Sequence, residues 1–120
     1  MQYPNQRNLM TQDTPEDEAD HVIAEMEEAL DRLGELRITA AATDAEAKRL
    51  HARALLAARS KGYTSREERD AYATLESVDA RETADICERS YRDTLTYIRT
   101  LQSRLDLIRT QIVSRRDIRV

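Results

Sequence analysis

Residues 59–68 read Arg-Ser-Lys-Gly-Tyr-Thr-Ser-Arg-Glu-Glu (RSKGYTSREE). This is a helix stop joined directly to a helix start. Gly62 suits the left-handed position that closes a helix, and Lys61 places a cation near the carboxyl end of the dipole. Two overlapping capping boxes follow, Thr64 with Glu67 and Ser65 with Glu68. Gly62 stands at the midpoint of 120 residues, and the rest of the chain holds one other glycine, Gly34, and two prolines. Long helix-forming runs on both sides of such a turn predict an all-α fold, a long antiparallel two-helix hairpin resembling a coiled coil.

Working outward, Thr14-Pro15 marks the first helix start. Threonine caps free amides, proline has no amide to lose at the first helical position, and Glu16, Asp17 and Glu18 complement the dipole. The expected boundaries are a flexible arm over 1–13 and a hairpin over 14–120. Within the hairpin the helices cover about 15–61 and 65–116, with the turn at 62–64. Gly34 inside the first helix costs up to ~1 kcal/mol relative to alanine and marks either a kink or a close helix contact, or neither.

The second helix carries a sustained seam: Ala73, Ser77, Ala80, Ala84, Cys87, Tyr91, Thr94, Ile98, Leu101, Leu105, Ile108 and Ile112. Its alternating steps of four and three give the 3.5-residue period of a left-handed coiled coil. Small residues occupy the seam near the turn and large aliphatics occupy it far away. The first helix mirrors this, with Ala40, Ala47, Ala54 and Ala58 towards the turn and Val22, Met26, Leu30 and Leu33 away from it. Pairing about Gly62 sets residue i opposite roughly 125 − i. Leu75, Val78, Ile86, Leu95, Leu107 and Val113 lie off the seam and are read as widening the apolar face beyond one partner's reach. Oligomerisation or docking on another protein is therefore expected, through Ile98, Leu101, Leu105, Ile108 and Ile112 with Leu30 and Leu33.

Charged residues make up 35% of the chain and aromatics only 4%, with no Trp or Phe, the balance of a long-helix protein rather than a globular enzyme. Net charge is −4, unevenly spread. Residues 13–35 hold ten acids against Arg32, whereas 91–120 hold seven arginines against three aspartates. The hairpin register sets these blocks side by side, within one chain or between chains. Arg115, Arg116 and Arg119 extend past the acidic block and still need an anionic partner. The single cysteine, Cys87, cannot close an internal disulfide, no apolar run approaches the ~20 residues of a membrane span, and the first residues do not read as a signal peptide. A soluble protein of the cytoplasm follows, with no membrane association.

No catalytic, metal or cofactor site is expected. His21 and His51 lie far apart, no cysteine pairs exist and no glycine-rich phosphate loop occurs. The carboxylates have i, i+4 partners such as Glu28 with Arg32. Cys87 on the seam reads as a buried structural thiol. Neither an enzyme nor a small-molecule substrate is implied. The turn is different: Arg53, Arg59, Lys61, Arg66 and Arg69 gather there with Tyr63 and Tyr72, a combination suited to single strands, although Glu67, Glu68 and Asp70 dilute the charge.

Leu50-His51-Ala52-Arg53, the Lys61-Gly62 turn and a long second helix with Ser103-Arg104 and Ser114-Arg115 together resemble the small helical proteins of tailed phages. More specifically, this layout, over residues 40–118, is similar to the UvsY-type recombination mediators. The resemblance implies a non-catalytic, ring-forming helical protein in a bacterial host. Such a protein loads a RecA-like recombinase onto single-stranded DNA coated by a single-strand-binding protein. In that family a short Leu-x-Ala-Arg stretch contributes to DNA contact and is basic at its second position. Arg53 matches, and His51 stands where a lysine is expected. The expected function is thus an oligomeric recombination or replication accessory protein that meets single-stranded DNA and protein partners. The alternatives are a protein-binding adaptor or anti-host factor without nucleic-acid binding, and a virion assembly component.

Overall fold

In a computed structural model the chain forms two long helices packed against each other, and the structure describes residues 14–118. Helix α1 spans Pro15–Ser60 and helix α2 spans Arg66–Ile118. Both agree with the expected boundaries to within two residues. The arm expected over 1–13 lies outside the described residues.

Local chemistry explains each helix end. At the start of α1 the Asp17 amide donates to Thr14 Oγ1 (3.2 Å), and the Thr14 amide donates back to Asp17 Oδ2 (3.3 Å). This is a reciprocal capping box with aspartate in the usual glutamate role. At the end of α1 the Tyr63 amide donates to the Ala58 carbonyl and the Gly62 amide to the Arg59 carbonyl, both at 3.1 Å. These two bonds form a Schellman motif, with Gly62 at φ +94° in the left-handed position. Of the two capping boxes expected at the start of α2, Ser65 supplies the cap: its Oγ accepts the Glu68 amide at 3.1 Å. Thr64 instead offers its carbonyl to the Arg69 guanidinium at 2.6 Å.

The chain divides into two units. The turn unit, residues 31–95, has a core of small side chains: Ala40, Ala47, Ala54, Ala58, Ala73, Ser77 and Ala84 are all buried. Asp44 faces Arg81 across the helices, where the 125 − i register expects residue 81, and His51 meets Ser77, where it expects 74. The terminal unit is described over 14–30 and 96–118. Its core is Val22, Leu101, Leu105 and Ile108, with Ala19, Met26 and Ile112 packed against them. There Tyr97 Oη donates to Glu25 Oε2 at 2.8 Å, where the register expects residue 100. Both units therefore keep the expected antiparallel register to within three residues.

Two expectations need correcting. The seam of Ile98, Leu101, Leu105 and Ile108 is buried within the single chain, so it is no free surface for a second copy. Ile112 and Leu33 are half-buried, while Leu30 is 50% exposed and its neighbour Ala29 is fully buried. The phase set by Val22 and Met26 falls on Ala29, which leaves Leu30 on the flank. The off-seam residues divide about the seam. Leu95 is half-buried beside it, but Leu75, Val78, Ile86, Leu107 and Val113 are exposed on the outward positions of α2. Cys87 is half-buried rather than fully enclosed.

The two glycines make opposite predictions. A Cβ on either would meet nothing within 4 Å, and only Gly62 has positive φ. Gly34 is thus no close-contact glycine, and Gly34→Ala should raise stability by up to ~1 kcal/mol through helix propensity. Gly62→Ala should lower it by ~1–2 kcal/mol, the cost of a left-handed alanine. Denaturant titration followed by circular dichroism measures both, and the same sign for the two would contradict this account. Leu105→Ala, in the terminal core, should cost about 2–5 kcal/mol in the same assay.

Candidate nucleic-acid interface

The Schellman turn projects Tyr63 towards the first turns of α2, where it stacks on Tyr72. The ring centroids lie 5.2 Å apart and the planes are inclined by 29°. Lys61 Nζ sits 5.7 Å from the Tyr72 ring centroid, a cation–π contact. The tyrosines, Ala71, Leu75 and Glu68 line an open cleft of about 290 Å³. The turn thus brings a cation and two stacked rings onto one surface, with a carboxylate at its edge.

The other expected cations divide by role. Arg53 and Arg59 are exposed, and Arg59 lies in the last turn of α1, where the dipole favours it. Arg66 is exposed, with its Nε 3.9 Å from Asp70 Oδ2, an i, i+4 pair worth a few tenths of a kcal/mol at most. Arg69 is half-buried and braces the turn through the Thr64 carbonyl. Arg115 and Arg116 are exposed in the last turn of α2, and Arg119 lies outside the described residues.

Deeper in the turn unit lies a polar layer that sequence reasoning missed. Both terminal nitrogens of Arg81 donate to Asp44 Oδ1, at 3.0 and 2.9 Å, and Lys48 Nζ lies 2.9 Å from Asp44 Oδ2. The Lys48 hydrogen bond, reinforced by the charges of Lys48 and Arg81, holds the Asp44 carboxyl below its usual range against a smaller opposing effect of desolvation. Next to it, Ser77 Oγ donates to the Ala73 carbonyl at 2.7 Å and lies 3.4 Å from His51 Nδ1. The 125 − i register, applied to the charged residues, is the signal that would have found Asp44 and Arg81.

A cleft of about 360 Å³ beside this layer is lined by Arg37, Arg81 and Arg92 and by Asp44, Asp85 and Glu88, among others. Its charges balance, so it offers no net attraction for an anion. Among the described residues no group of three or more His, Cys, Asp or Glu could hold a metal, and no helix is long and apolar enough to cross a membrane. No protein-family model, curated protein or solved structure matches this chain.

The Asp44 layer predicts acid sensitivity. A carboxyl held below its unfolded value stabilises the fold fully above that value, ~3.9, and loses its contribution as pH falls through the folded value. Thermal midpoints should therefore fall on acidification below about pH 4. Asp44→Asn should lower the midpoint at neutral pH and flatten that acid limb. An unchanged acid limb would show that Asp44 has no part in it.

Proposed function

We propose that this protein is a non-catalytic, oligomeric accessory factor of recombination or replication that meets single-stranded DNA at the turn between its helices and a protein partner along its outer faces. The observation that supports the DNA contact is the Tyr63–Tyr72 stack beneath Lys61, with Arg53, Arg59 and Arg66 on the same end of the turn unit. Stacked aromatics give a base a flat apolar platform, and nearby cations attract the phosphates that link one base to the next. A duplex hides its base faces, so this arrangement favours single strands. The layout resemblance to UvsY-type mediators points the same way.

A second reading, a protein-binding adaptor, is favoured by a different observation. Leu56, Leu75 and Ile38 in the turn unit are 80%, 70% and 69% exposed. Large apolar side chains this exposed in one small unit suit a protein partner.

Fluorescence anisotropy with a labelled oligonucleotide of about 16 nucleotides tests the first reading. Binding should be visible at 50 mM salt and should weaken steeply by 200 mM. Tyr72→Ala should cost about 1–3 kcal/mol, and Lys61→Gln should reduce the salt slope by about one. Absence of binding at 50 mM salt would move the assignment to the adaptor.

A further inference from the structure

We infer that the Tyr63–Tyr72 cleft selects guanine from a single strand, a specificity that rests on the single-strand reading above and that the Glu68 carboxylate supplies. Glu68 lines the cleft together with both tyrosines, Ala71 and Leu75. Positions 68, 71, 72 and 75 share one face of α2, which sets Glu68 one helical turn from Tyr72. The cap at the start of α2 uses only the Glu68 amide, which donates to Ser65 Oγ. The Glu68 side chain is exposed, and among the described residues none donates a hydrogen bond to its carboxylate. The neighbouring arginines are engaged elsewhere, Arg66 with Asp70 and Arg69 with the Thr64 carbonyl.

An ionised carboxylate repels phosphate and accepts hydrogen bonds without donating any. A base held beside Glu68 must therefore offer it N–H groups. Guanine presents two side by side on its Watson–Crick edge, N1–H and the N2 amino group. The two oxygens of a carboxylate match such a pair, as they match the fork of an arginine. Thymine has one N–H, flanked by two carbonyl oxygens that the carboxylate repels. Cytosine and adenine each have one amino group, next to a ring nitrogen that is an acceptor. This edge is occupied in a duplex and open in a single strand, where the same base can also stack on an aromatic ring.

Charge and size oppose the other ligands that would satisfy a carboxylate beside two rings. A free guanidinium or ammonium group offers N–H donors too, but Lys61 already stands 5.7 Å from the Tyr72 centroid and repels a second cation in the same cleft. Guanine carries the donors without the charge, and its phosphates are drawn to Lys61. At about 290 Å³ the cleft falls just below the ~300–1,000 Å³ of sites for drug-sized ligands, so it suits a single base.

The test is fluorescence anisotropy of the full chain with labelled probes of about five nucleotides, short enough to offer few binding registers. One probe is all thymidine, one has a central guanosine and one a central inosine, which is guanosine without the N2 amino group. A lone guanine also prevents four-stranded assembly of the probe. The guanine probe should bind about tenfold tighter than the thymine probe, within the range of a bidentate base contact, with inosine between them. Glu68→Gln should weaken the guanine probe and tighten the thymine probe, since it removes one acceptor and the charge that repels phosphate. Glu67→Gln removes the same charge outside the cleft and should leave the guanine preference intact. Equal binding of the three probes, binding of none, a preference that survives Glu68→Gln, or one lost in Glu67→Gln would each overturn the inference. If Glu68→Gln lowers helical circular dichroism, the wild-type comparison of guanine with inosine decides. The longer oligonucleotide reports separately on the single-strand reading: binding there without a guanine preference here overturns this specificity alone, and no binding in either assay overturns both.

Discussion

Everything in this protein depends on a seam one or two side chains wide that must be filled from both helices at once. On α2 it runs through Ala73, Ser77, Ala80, Ala84 and on to Ile98, Leu101, Leu105 and Ile108, and every member is buried or half-buried. On α1 the same alternation of four and three runs Val22, Met26, Ala29, Leu33, Leu36, Ala40, Thr43, Ala47, Leu50 and Ala54, again all buried or half-buried. A strict seven-residue repeat on each helix keeps the two stripes in contact turn after turn. Such a seam holds the helices together along their length within each unit.

The two units use that seam with different chemistry. In the terminal unit, large aliphatics supply the burial, each worth about 1.5–3 kcal/mol when fully hidden. In the turn unit alanines line the seam, and a methyl group hides far less surface. Directional contacts add to that weaker core: the Asp44–Arg81 pair, the His51–Ser77 contact and the Schellman turn. Helix-interior hydroxyls are also satisfied locally, with Thr39, Thr43, Ser77 and Thr94 each donating to the carbonyl four residues back. No polar side-chain atom buried among the described residues lacks a partner. Alanine and locally bonded threonine can sit in the seam because neither leaves a polar group stranded there.

The surfaces of this architecture are of two kinds. The turn gathers aromatic rings and cations because it is where backbone direction reverses and where residues adjacent in sequence can face one another. The outward positions of both helices carry the remaining apolar side chains and the separated charge blocks. These two kinds of surface differ in chemistry, stacked rings with cations at one and exposed aliphatics beside separated charges at the other.

The sequence by itself determined the helix ends, the turn and the pairing register. Each rests on short-range chemistry: a capping hydroxyl, a proline without an amide, a glycine free to adopt positive φ, and apolar spacing along one stripe. The tertiary structure decided which residues that stripe excludes. Hydrophobicity alone selects Leu30 for the seam, whereas phase buries Ala29. Charge alone places Arg69 among the cations of the turn, and the fold adds its bond to the Thr64 carbonyl. Asp44 and Arg81 are unremarkable until two distant turns of helix are brought together. Local patterns fix a helix and its hydrophobic stripe. Which side chains at the stripe's edge are covered, paired or left to meet a partner depends on the helix packed against it.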